Sequence, residues 1–337
     1  MSGSEDALPL VAIVTPVYNG SPWLERTMAC VQRQTYGNLV HVLLDNASTD
    51  DTAEVIDRFR NQKVRLQVTR NAEVLSQTAN WNAAMKLVPA DAKYVLLLCS
   101  DDLIRSDAVE KLVGRAEEDQ EIVLVTAPDI VFDRVRAPLP PDGKTVVDGK
   151  DFIRAFLKNT YNHFAWQLFF ARWHPEHASE DYFSYSDATL DTMKLLRVMM
   201  TGKVGFVMEP LFYTRHHTGN MSAQFTAKRN PNFRLFRWEP AVQYASELLD
   251  PRAARRVMRE EKYFVLRFEL AWRRAGASVP ANALRKRLAN DGFPPTWLDY
   301  VGAIISYPLY KMRQSRISRA ASRRWPQAIA EKDFVAQ

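Results

Sequence analysis

The stretch Tyr94-Val-Leu-Leu-Leu-Cys-Ser-Asp-Asp102 decides the fold. Its first five residues are apolar or aromatic without alternation, which is typical of a strand buried on both faces of a parallel sheet. The strand runs directly into Ser100 and two adjacent carboxylates, Asp101 and Asp102. Ligands of open α/β sheets bind at the carboxyl ends of the strands, and oxygen-rich corners suit Mg²⁺ or Mn²⁺. The stretch therefore predicts a divalent-metal site after a central strand, with capping of the next helix as the alternative.

Strand and helix patterns alternate on both sides of this central strand. The predicted strands are residues 10–15, 40–44, 64–68, 94–98, 122–126 and 205–208, and the predicted helices are residues 23–32, 51–60, 75–87, 107–118 and 151–158. Repeated strand–helix units of this length indicate an α/β fold with a mostly parallel sheet flanked by helices.

Polar side chains follow each of the first four strands. They are Thr15, Tyr18 and Asn19, then Asp45 and Asn46, then Arg70 and Asn71, then Asp101 and Asp102. Turn propensity alone explains one such group, but four groups at one edge of a sheet favour a bound nucleotide with a metal ion. A carboxylate can accept a hydrogen bond from a base, an aromatic ring can stack on it, and an arginine can bind a phosphate.

Two common phosphate-binding motifs are absent from the sequence. No Gly-x-Gly-x-x-Gly follows the first strand, and no Gly-x-x-x-x-Gly-Lys-Ser/Thr occurs. These absences disfavour a dinucleotide site and a P-loop. We therefore expect a cation to hold the phosphates.

The composition indicates a globular protein that is soluble or peripheral to a membrane. Of its 337 residues, 47% are apolar and 25% are charged, so a packed core is expected. Cys30 and Cys99 have neither metal-site nor disulfide spacing and indicate a reducing, cytoplasmic compartment. Residues 1–6 lack the pattern of a signal peptide, and no run reaches the roughly 20 apolar residues that span a bilayer.

Four segments in order resemble the motifs of family 2 glycosyltransferases with the GT-A fold. They are Val11-Ala-Ile-Val-Thr-Pro-Val-Tyr-Asn19, Asp45-Asn-Ala-Ser-Thr-Asp50, Asn80-Trp-Asn82 and Leu98-Cys-Ser-Asp-Asp102, within a similarity that covers residues 8–223. The resemblance implies an inverting, metal-dependent transfer of a sugar from a nucleotide-diphosphate sugar to a hydroxyl acceptor. The acceptor would be a carbohydrate or a lipid-linked carbohydrate, in bacterial polysaccharide, lipopolysaccharide or glycolipid synthesis.

The resemblance also implies roles for individual residues. Pro16 to Asn19 and Asp45 would hold the base and ribose, and Asp101 would be the metal-binding acid of the family's Asp-x-Asp motif. Cys99 departs from the pattern, because the family commonly has the first Asp of that motif there. The strand ends and the resemblance together give the expected donor contacts, which are Thr15, Pro16, Tyr18, Asn19, Asp45, Asn46, Arg70, Asn80, Asn82, Ser100, Asp101 and Arg215. For Asn80 and Asn82 the alternative is that they tie the helix to the sheet.

The second half of the chain is expected to bind the acceptor and supply the base. A cluster of turn formers at 138–143 divides a nucleotide-binding half (9–137, after a disordered tail, 1–8) from an acceptor half (138–223) of one domain. An inverting transfer needs a carboxylate to accept the acceptor's proton, and Asp187 and Asp191 are the candidates. The resemblance favours Asp191, which opens a helix ending at Gly202; an acid there also stabilises a helix.

Two further segments contribute to the expected site. The segment 209–217 resembles the family's closing motif, in which Arg215 and His217 occupy the matching positions. His217 would complete the metal shell with Asp101 and Asp102, or contact the diphosphate together with Arg215. Residues 159–173 are rich in aromatic side chains, and Trp166 is the candidate platform for an acceptor sugar.

The last region, 224–337, reads as helical and basic. Trp297 to Tyr310 is apolar and aromatic, and 311–325 carries basic residues without an acid. Such a segment lies in a membrane interface, which would place the protein on the inner face of the membrane, or it is a solvated closing helix. Nucleic acid is disfavoured because the charge is spread along the region. A sugar-nucleotide-forming nucleotidyltransferase and a non-catalytic, membrane-apposed binding protein remain as alternatives.

Overall fold

The structure is a computed structural model that describes residues 8–136, 143–160, 169–178, 181–183, 189–313, 315 and 329–336. The strands are β1 (Val11–Val17), β2 (Leu39–Asp45), β3 (Arg65–Arg70), β4 (Tyr94–Leu97), β5 (Leu103–Ile104), β6 (Ile122–Thr126), β7 (Asp129–Val131), β8 (Arg134–Arg136), β9 (Val146–Asp148), β10 (Phe169–Arg172), β11 (Lys203–Phe206) and β12 (Phe212–Thr214). The helices are α1 (Ser21–Gln32), α2 (Thr52–Asp57), α3 (Gln77–Met85), α4 (Ala108–Glu117), α5 (Gly149–Leu157), α6 (Leu190–Met199), α7 (Met221–Ala227), α8 (Trp238–Leu248), α9 (Pro251–Arg274), α10 (Ser278–Asn290), α11 (Trp297–Ile305) and α12 (Glu331–Ala336).

A sheet of eight strands forms the centre of the molecule, in the order β3-β2-β1-β4-β10-β6-β11-β9. The first four strands of this order are parallel to one another, whereas β10 is antiparallel to β4 and β6, and β9 is antiparallel to β11. This arrangement confirms the predicted α/β fold with a mostly parallel sheet. Strand β10 was not predicted, because three apolar residues and an arginine in an aromatic-rich stretch carry no strand-specific period.

The central strand is buried on both faces, as its unbroken apolar run predicts. Val95 and Leu97 belong to the core cluster on one face of the sheet, which includes Phe152, whereas Tyr94 and Leu96 belong to the cluster on the other. Successive side chains of a strand point to opposite faces, so a strand between two cores needs apolar residues at every position. The ends of β1, β2, β3 and β4 consequently lie along one edge, where the polar residues were expected to meet.

A second, smaller sheet was not anticipated from the sequence. Its strands have the order β5-β12-β7-β8, and β5 pairs with β12 in antiparallel register, Tyr213 opposite Leu103 and Phe212 opposite Ile104. Strand β5 begins immediately after Asp102, and β12 ends immediately before Arg215. This pairing therefore brings the residues after β4 together with the residues after β12.

The predicted boundaries differ from the observed ones by a few residues. The strand expected at 205–208 is β11, which begins two residues earlier at Lys203, and the helix expected at 51–60 is the shorter α2. Helices after residue 237 form the expected helical region, with a core that includes Trp238, Val265 and Leu284. No helix within the described ranges is both long and apolar enough to cross a bilayer.

The C-terminal helix returns to the first half of the chain. Phe334 of α12 is fully buried and belongs to the same core cluster as Tyr213 of β12. The backbone N–H of Ile329 donates to the carbonyl of Asp133, and Glu331 pairs with Arg26 at 2.7 Å. Residues 329–336 thus pack on the small sheet and on α1, rather than extending the basic helical region.

One buried histidine makes the fold sensitive to acid. The ring of His41 on β2 is fully buried, its Nε2 lies 3.0 Å from Oγ1 of Thr15, and burial lowers its pKa to about 4. Because the unfolded chain binds the proton more readily, protonation favours unfolding below the usual histidine pKa. We expect His41 to lower the free energy of unfolding by about 2 kcal/mol when the pH falls from about 7 to about 5.

Urea unfolding of the wild type and of His41→Gln at several pH values checks this prediction. Carboxyl groups titrate in both proteins, so the difference between their slopes isolates His41. The variant should lose less stability than the wild type between neutral pH and pH about 5. Identical pH slopes in the two proteins would contradict the assignment of a neutral buried imidazole.

Candidate functional site

An acidic corner lies where β4 ends. Ligand atoms of Cys99, Asp101 and Asp102 lie within 4.8 Å of one another. Nε2 of His217 lies 3.1 Å from Oδ2 of Asp101, so an imidazole from the segment after β12 faces the carboxylate. The indole of Trp23 on α1 stacks on the His217 ring with centroids 4.4 Å apart, which fixes the orientation of the ring. The structure thus places Asp101 beside both Asp102 and His217, and that these residues hold a metal ion stays a prediction.

The electrostatics of this corner favour a cation. Asp102 is almost fully buried, and its pKa is raised well above the usual range, first by burial and then by the charge of Asp101. Two carboxylates this close repel each other, and a divalent cation between them removes the repulsion. Carboxylate oxygens with one imidazole are a donor set that fits Mn²⁺. Cys99 contributes less, because burial and the neighbouring acids raise the pKa of its thiol.

Arg215 lies beneath the acidic corner rather than in it. Its side chain is only 4% exposed. Its Nε donates to the carbonyl of Asp101. Its Nη2 donates to the carbonyl of Trp23 at 3.0 Å and to the hydroxyl of Thr27 at 2.9 Å. Its backbone N–H donates to Oδ1 of Asp102 at 3.0 Å. In this structure the guanidinium supports the backbone that carries the two acids, and its contact with a diphosphate stays a prediction.

Sequence reasoning missed two residues of α1 that support this corner. The hydroxyl oxygen of Thr27 lies 2.9 Å from the carbonyl oxygens of both Ser100 and Asp102, which share its single proton, and Trp23 packs on His217. Trp23 and Thr27 are four positions apart and therefore lie on the same face of the helix. That spacing could have predicted a shared face of the helix, but only the position of α1 in the fold shows what this face contacts.

The loops after β1 and β2 are joined by hydrogen bonds from backbone N–H groups to side-chain oxygens. The N–H of Asn19 donates to Ser48 at 2.9 Å, and Oδ1 of Asn19 accepts from the N–H of Thr49 at 2.9 Å. Asn19 has a φ of +49°, a conformation that asparagine tolerates better than most residues. Next to it, a Cβ on Gly20 would lie 2.4 Å from Val17, so this tight turn requires glycine. Asn19 consequently shapes the loop in addition to lining it.

Asp45 and Arg70 form one unit at the end of β2 and β3. Oδ1 of the buried Asp45 accepts from the N–H of Ser48 at 3.0 Å, and Arg70 donates to Oδ2 of Asp45 and to the carbonyl of Ser48. Arg70 therefore neutralises Asp45 here, instead of standing free for a phosphate. The side chain of Arg70 remains about half exposed, so the pair is accessible from the edge of the sheet.

A chain of amides continues along the same edge. Oδ1 of Asn46 accepts from Asn71 at 2.8 Å and from the N–H of Leu75 at 2.9 Å, and Asn71 also donates to Asn80 at 3.0 Å. Asn46 and Asn80 are thus linked through Asn71, which holds the start of α3 against the sheet edge. This supports the alternative that Asn80 ties the helix to the sheet, although Asn80 still lies at the edge of the sheet.

Two of the expected donor contacts, Thr15 and Asn82, bond to interior partners in this structure, and their contact with a donor stays a prediction. The side chain of Asn82 bonds both backbone groups of Phe183, at 2.8 and 2.7 Å, so it ties α3 to the 181–183 segment. The hydroxyl of Thr15 is fully buried against His41. In each case the side chain points into the interior, because it lies on the inner side of its helix or strand.

The other predicted residues are distributed as follows. Tyr18 is half exposed at the sheet edge, Ser100 is partly exposed after β4, and Pro16 is buried within β1. Trp166 and Asp187 lie outside the described residues. Of these, Tyr18 has a free aromatic surface of the kind that can stack on a base.

Asp191 lies near the same corner, at the start of α6. It is close enough to Cys99 for its charge to raise the pKa of that thiol. Surrounding protein desolvates Asp191 and raises its pKa to about 6, although the residue stays partly accessible. Oδ1 of Asp191 accepts from the N–H of Thr192 at 2.6 Å, which fixes the carboxylate. A partly accessible carboxylate with this pKa is suited to accept a proton near neutral pH.

Comparison with known proteins gives a consistent result. Residues 12–174 match the family model described as glycosyl transferase family 2. The chain is 30% identical over 118 residues to a glycosyltransferase named GlyG from Streptococcus pneumoniae, covering 34% of this chain and 38% of that protein. It is 30% identical over 103 residues to the putative teichuronic acid biosynthesis glycosyltransferase TuaG of Bacillus subtilis, covering 31% and 40%. The chain thus spans well under half the length of these relatives.

Solved structures share the fold. Residues 1–349 of S. aureus TarS, crystallised with UDP-GlcNAc, superpose with a TM-score of 0.51 at 12% identity, covering 84% of this chain and 92% of that one. The mannosyltransferase PcManGT from Pyrobaculum calidifontis, in complex with GDP-Man and Mn²⁺, superposes with a TM-score of 0.51 at 17% identity, covering 94% and 88%. These likenesses agree with the predicted GT-A-type architecture.

The structural contributions of Asn80 and Asn82 can be compared by measuring the free energy of unfolding of variants. Asn82→Ala leaves the N–H and the carbonyl of Phe183 unpaired, so we expect the free energy of unfolding to fall by about 3 kcal/mol. Asn80→Ala is the matched control on the same helix; it removes one bond to Asn71, for a loss of about 1 kcal/mol. Urea denaturation measures both values. Equal losses in the two variants would contradict the clamp on Phe183.

Proposed function

We propose that the protein, whose residues 12–174 match the model of glycosyl transferase family 2, transfers a sugar from a nucleotide-diphosphate sugar to a hydroxyl acceptor with inversion at the anomeric carbon. The observation that carries this proposal is the acidic corner at the end of β4, where Asp101 lies beside Asp102 and its carboxylate faces His217 at 3.1 Å. A cation-binding corner and a proton acceptor are the two parts that such a transfer needs. The acceptor is a carbohydrate or a lipid-linked carbohydrate.

The donor binds along the edge formed by the ends of the first four strands. Tyr18 stacks on the base, and the Asp45–Arg70 unit and Asn19 line the base and ribose. We take the donor to be a uridine- or guanosine-diphosphate sugar, since the structurally similar TarS and PcManGT were crystallised with UDP-GlcNAc and GDP-Man. Ser100 lies between this edge and the acidic corner.

Asp101 and His217 are the residues that would hold Mn²⁺ or Mg²⁺, with Asp102 directly behind them. When bound, the ion neutralises the charge that develops on the departing diphosphate. Arg215 and Thr27 hold the backbone of the two acids in place, because their hydrogen bonds go to the carbonyls of residues 100–102. Trp23 keeps the His217 ring turned toward Asp101.

Asp191 is the proposed base. It accepts the proton of the acceptor hydroxyl as that oxygen bonds to the anomeric carbon, while the bond from that carbon to the diphosphate breaks on the opposite face. The pKa of about 6 leaves the carboxylate mostly ionised at neutral pH, yet more basic than an ordinary aspartate. The hydrogen bond from Thr192 orients the carboxylate.

Two variants separate donor binding from chemistry. Asp101→Asn removes a charge from the metal corner, so we expect Mn²⁺-dependent binding of UDP or GDP to weaken by about tenfold or more. Asp191→Asn should bind the nucleotide as the wild type does, because the residue does not hold the ion, and should lose about 10²-fold or more in turnover. Calorimetry with Mn²⁺ and each nucleotide measures binding, and release of UDP or GDP from a panel of sugar nucleotides and acceptors measures turnover.

The outcomes also discriminate between classes of protein. A nucleotidyltransferase would form a sugar nucleotide from a nucleoside triphosphate, and a non-catalytic binding protein would bind without releasing product. Undiminished transfer by Asp191→Asn would remove that residue from the mechanism. Unchanged nucleotide binding by Asp101→Asn would do the same for the metal corner.

The pH profile of the wild type gives a second test of the base. Asp191 must be deprotonated to accept a proton, so kcat/KM should fall about tenfold per pH unit below an apparent pKa of about 6. Nucleotide affinity measured over the same pH range is the control, because it reports titration of the metal corner alone. If nucleotide affinity and kcat/KM fall equally at low pH, the titrating group belongs to the metal corner and is not Asp191.

A further inference from the structure

Helix α11 turns an apolar face toward solvent. Of the fourteen large apolar side chains that are exposed among the described residues, eight lie between Trp297 and Met312. We call these eight the α11 surface; they are Trp297, Leu298, Val301, Ile304, Ile305, Tyr307, Leu309 and Met312. On α11 itself the exposed members recur at helical spacing and so form one stripe. In a globular protein such a stripe normally faces the core.

The opposite face of α11 is packed, so the orientation of the stripe is fixed. Ala303 is fully buried, and a Cβ at Gly302 would lie 2.3 Å from the hydroxyl oxygen of Tyr263 on α9. Nζ of Lys262 lies 2.7 Å from Oδ2 of Asp299, and Nε of Arg267 donates to the carbonyl of Ala303 at 2.9 Å. Rotating the stripe inward would break these contacts with α9. The exposed apolar face is therefore a property of the folded chain.

Basic residues surround the α11 surface. Arg285 and Lys286 of α10 line a surface depression together with Pro294 and Pro295, which immediately precede α11. Neither of the two cations forms an ion pair within the described part of the chain, whereas the nearby acids Asp291 and Asp299 are both paired. On the other side, Lys311 is exposed at the end of helical residues 307–313. The sequence from 300 to 330 contains six basic residues and no acidic one.

We propose that the α11 surface docks on the anionic face of a lipid bilayer. Apolar side chains including Trp297 enter the interface, and the cations beside them meet the phosphate groups of anionic lipids. A second copy of the chain fits this surface less well, because a two-fold contact would bring the same basic rims together. An anionic membrane complements both the apolar stripe and its charge. This docking does not depend on the transferase chemistry, since none of these residues lies at the donor edge or the acidic corner.

Vesicle sedimentation with the full chain tests the proposal. We expect binding to phosphatidylcholine vesicles that contain about 30% phosphatidylglycerol, and much weaker binding to phosphatidylcholine alone. The triple variant Trp297→Ser/Ile304→Ser/Ile305→Ser should bind at least about tenfold more weakly. Val242→Ser, which removes an exposed apolar side chain from α8, should bind as the wild type does.

The charges are tested separately. Arg285→Gln/Lys286→Gln should lower the affinity for the anionic vesicles about fivefold per charge, and added salt should reduce this difference. Arg58→Gln/Arg60→Gln makes the same charge change in the nucleotide-binding half and should bind nearly as the wild type does. Circular dichroism of each variant reports whether it is folded.

Three results would overturn the proposal. They are equal binding to both vesicle types, binding by the triple variant that matches the wild type, and a wild type that does not bind vesicles. Light scattering identifies the alternative occupant: a wild-type dimer that the triple variant converts to a monomer, without vesicle binding, assigns the α11 surface to a second copy. Metal and nucleotide binding of the triple variant should stay at the wild-type level, which separates a failure here from a failure of the proposed function.

Discussion

The antiparallel pairing of β5 with β12 is the constraint on which the site depends. It joins a two-residue strand that follows Asp102 to a three-residue strand that precedes Arg215, segments more than a hundred residues apart in the chain. Without this pairing, His217 would have no reason to face Asp101, and the N–H of Arg215 would not reach Asp102. Closing so long a loop costs conformational entropy, which the apolar core around Phe212 and Leu103 must offset.

The buried side chain of Arg215 also holds the two acids in position. Arg215 bonds the carbonyl of Asp101, the carbonyl of Trp23 and the hydroxyl of Thr27, so one guanidinium connects β12, α1 and the segment after β4. Its positive charge also lies close to both carboxylates. Glu331 of α12 approaches the same guanidinium at 3.8 Å, so the C-terminal helix adds an opposite charge from outside the corner. The acids are thus held by groups that leave Asp101 partly accessible, with the buried Asp102 behind it.

Much of the fold and part of the site could be predicted from the sequence, and the failures have identifiable causes. The unbroken apolar run at 94–98 and the polar residues after each strand predict the sheet and its functional edge, because both follow from local patterns. Strands as short as β5 and β12 carry no period that could be read. Thr15 and Asn82 were assigned to the donor because they belong to matching motifs, but which way a side chain points depends on packing that a motif does not encode. The burial of Arg215 could not be predicted either, since it arises only from the β5–β12 pairing.

Cys99 shows how the site can tolerate a departure from the family pattern. The charge of Asp101 already raises the pKa of Asp102, so a carboxylate at position 99 would add a third negative charge to the same buried space. A neutral thiol occupies that position without repulsion, and the charge of Asp191 acts on it less strongly than those of Asp101 and Asp102. In the function proposed here, the ribose contact that an acid at this position would make comes from the opposite side, where Asp45 and Asn19 line the edge. In the function proposed here, the thiol therefore lowers the electrostatic cost of the metal corner and shifts recognition of the donor toward the loops after β1 and β2.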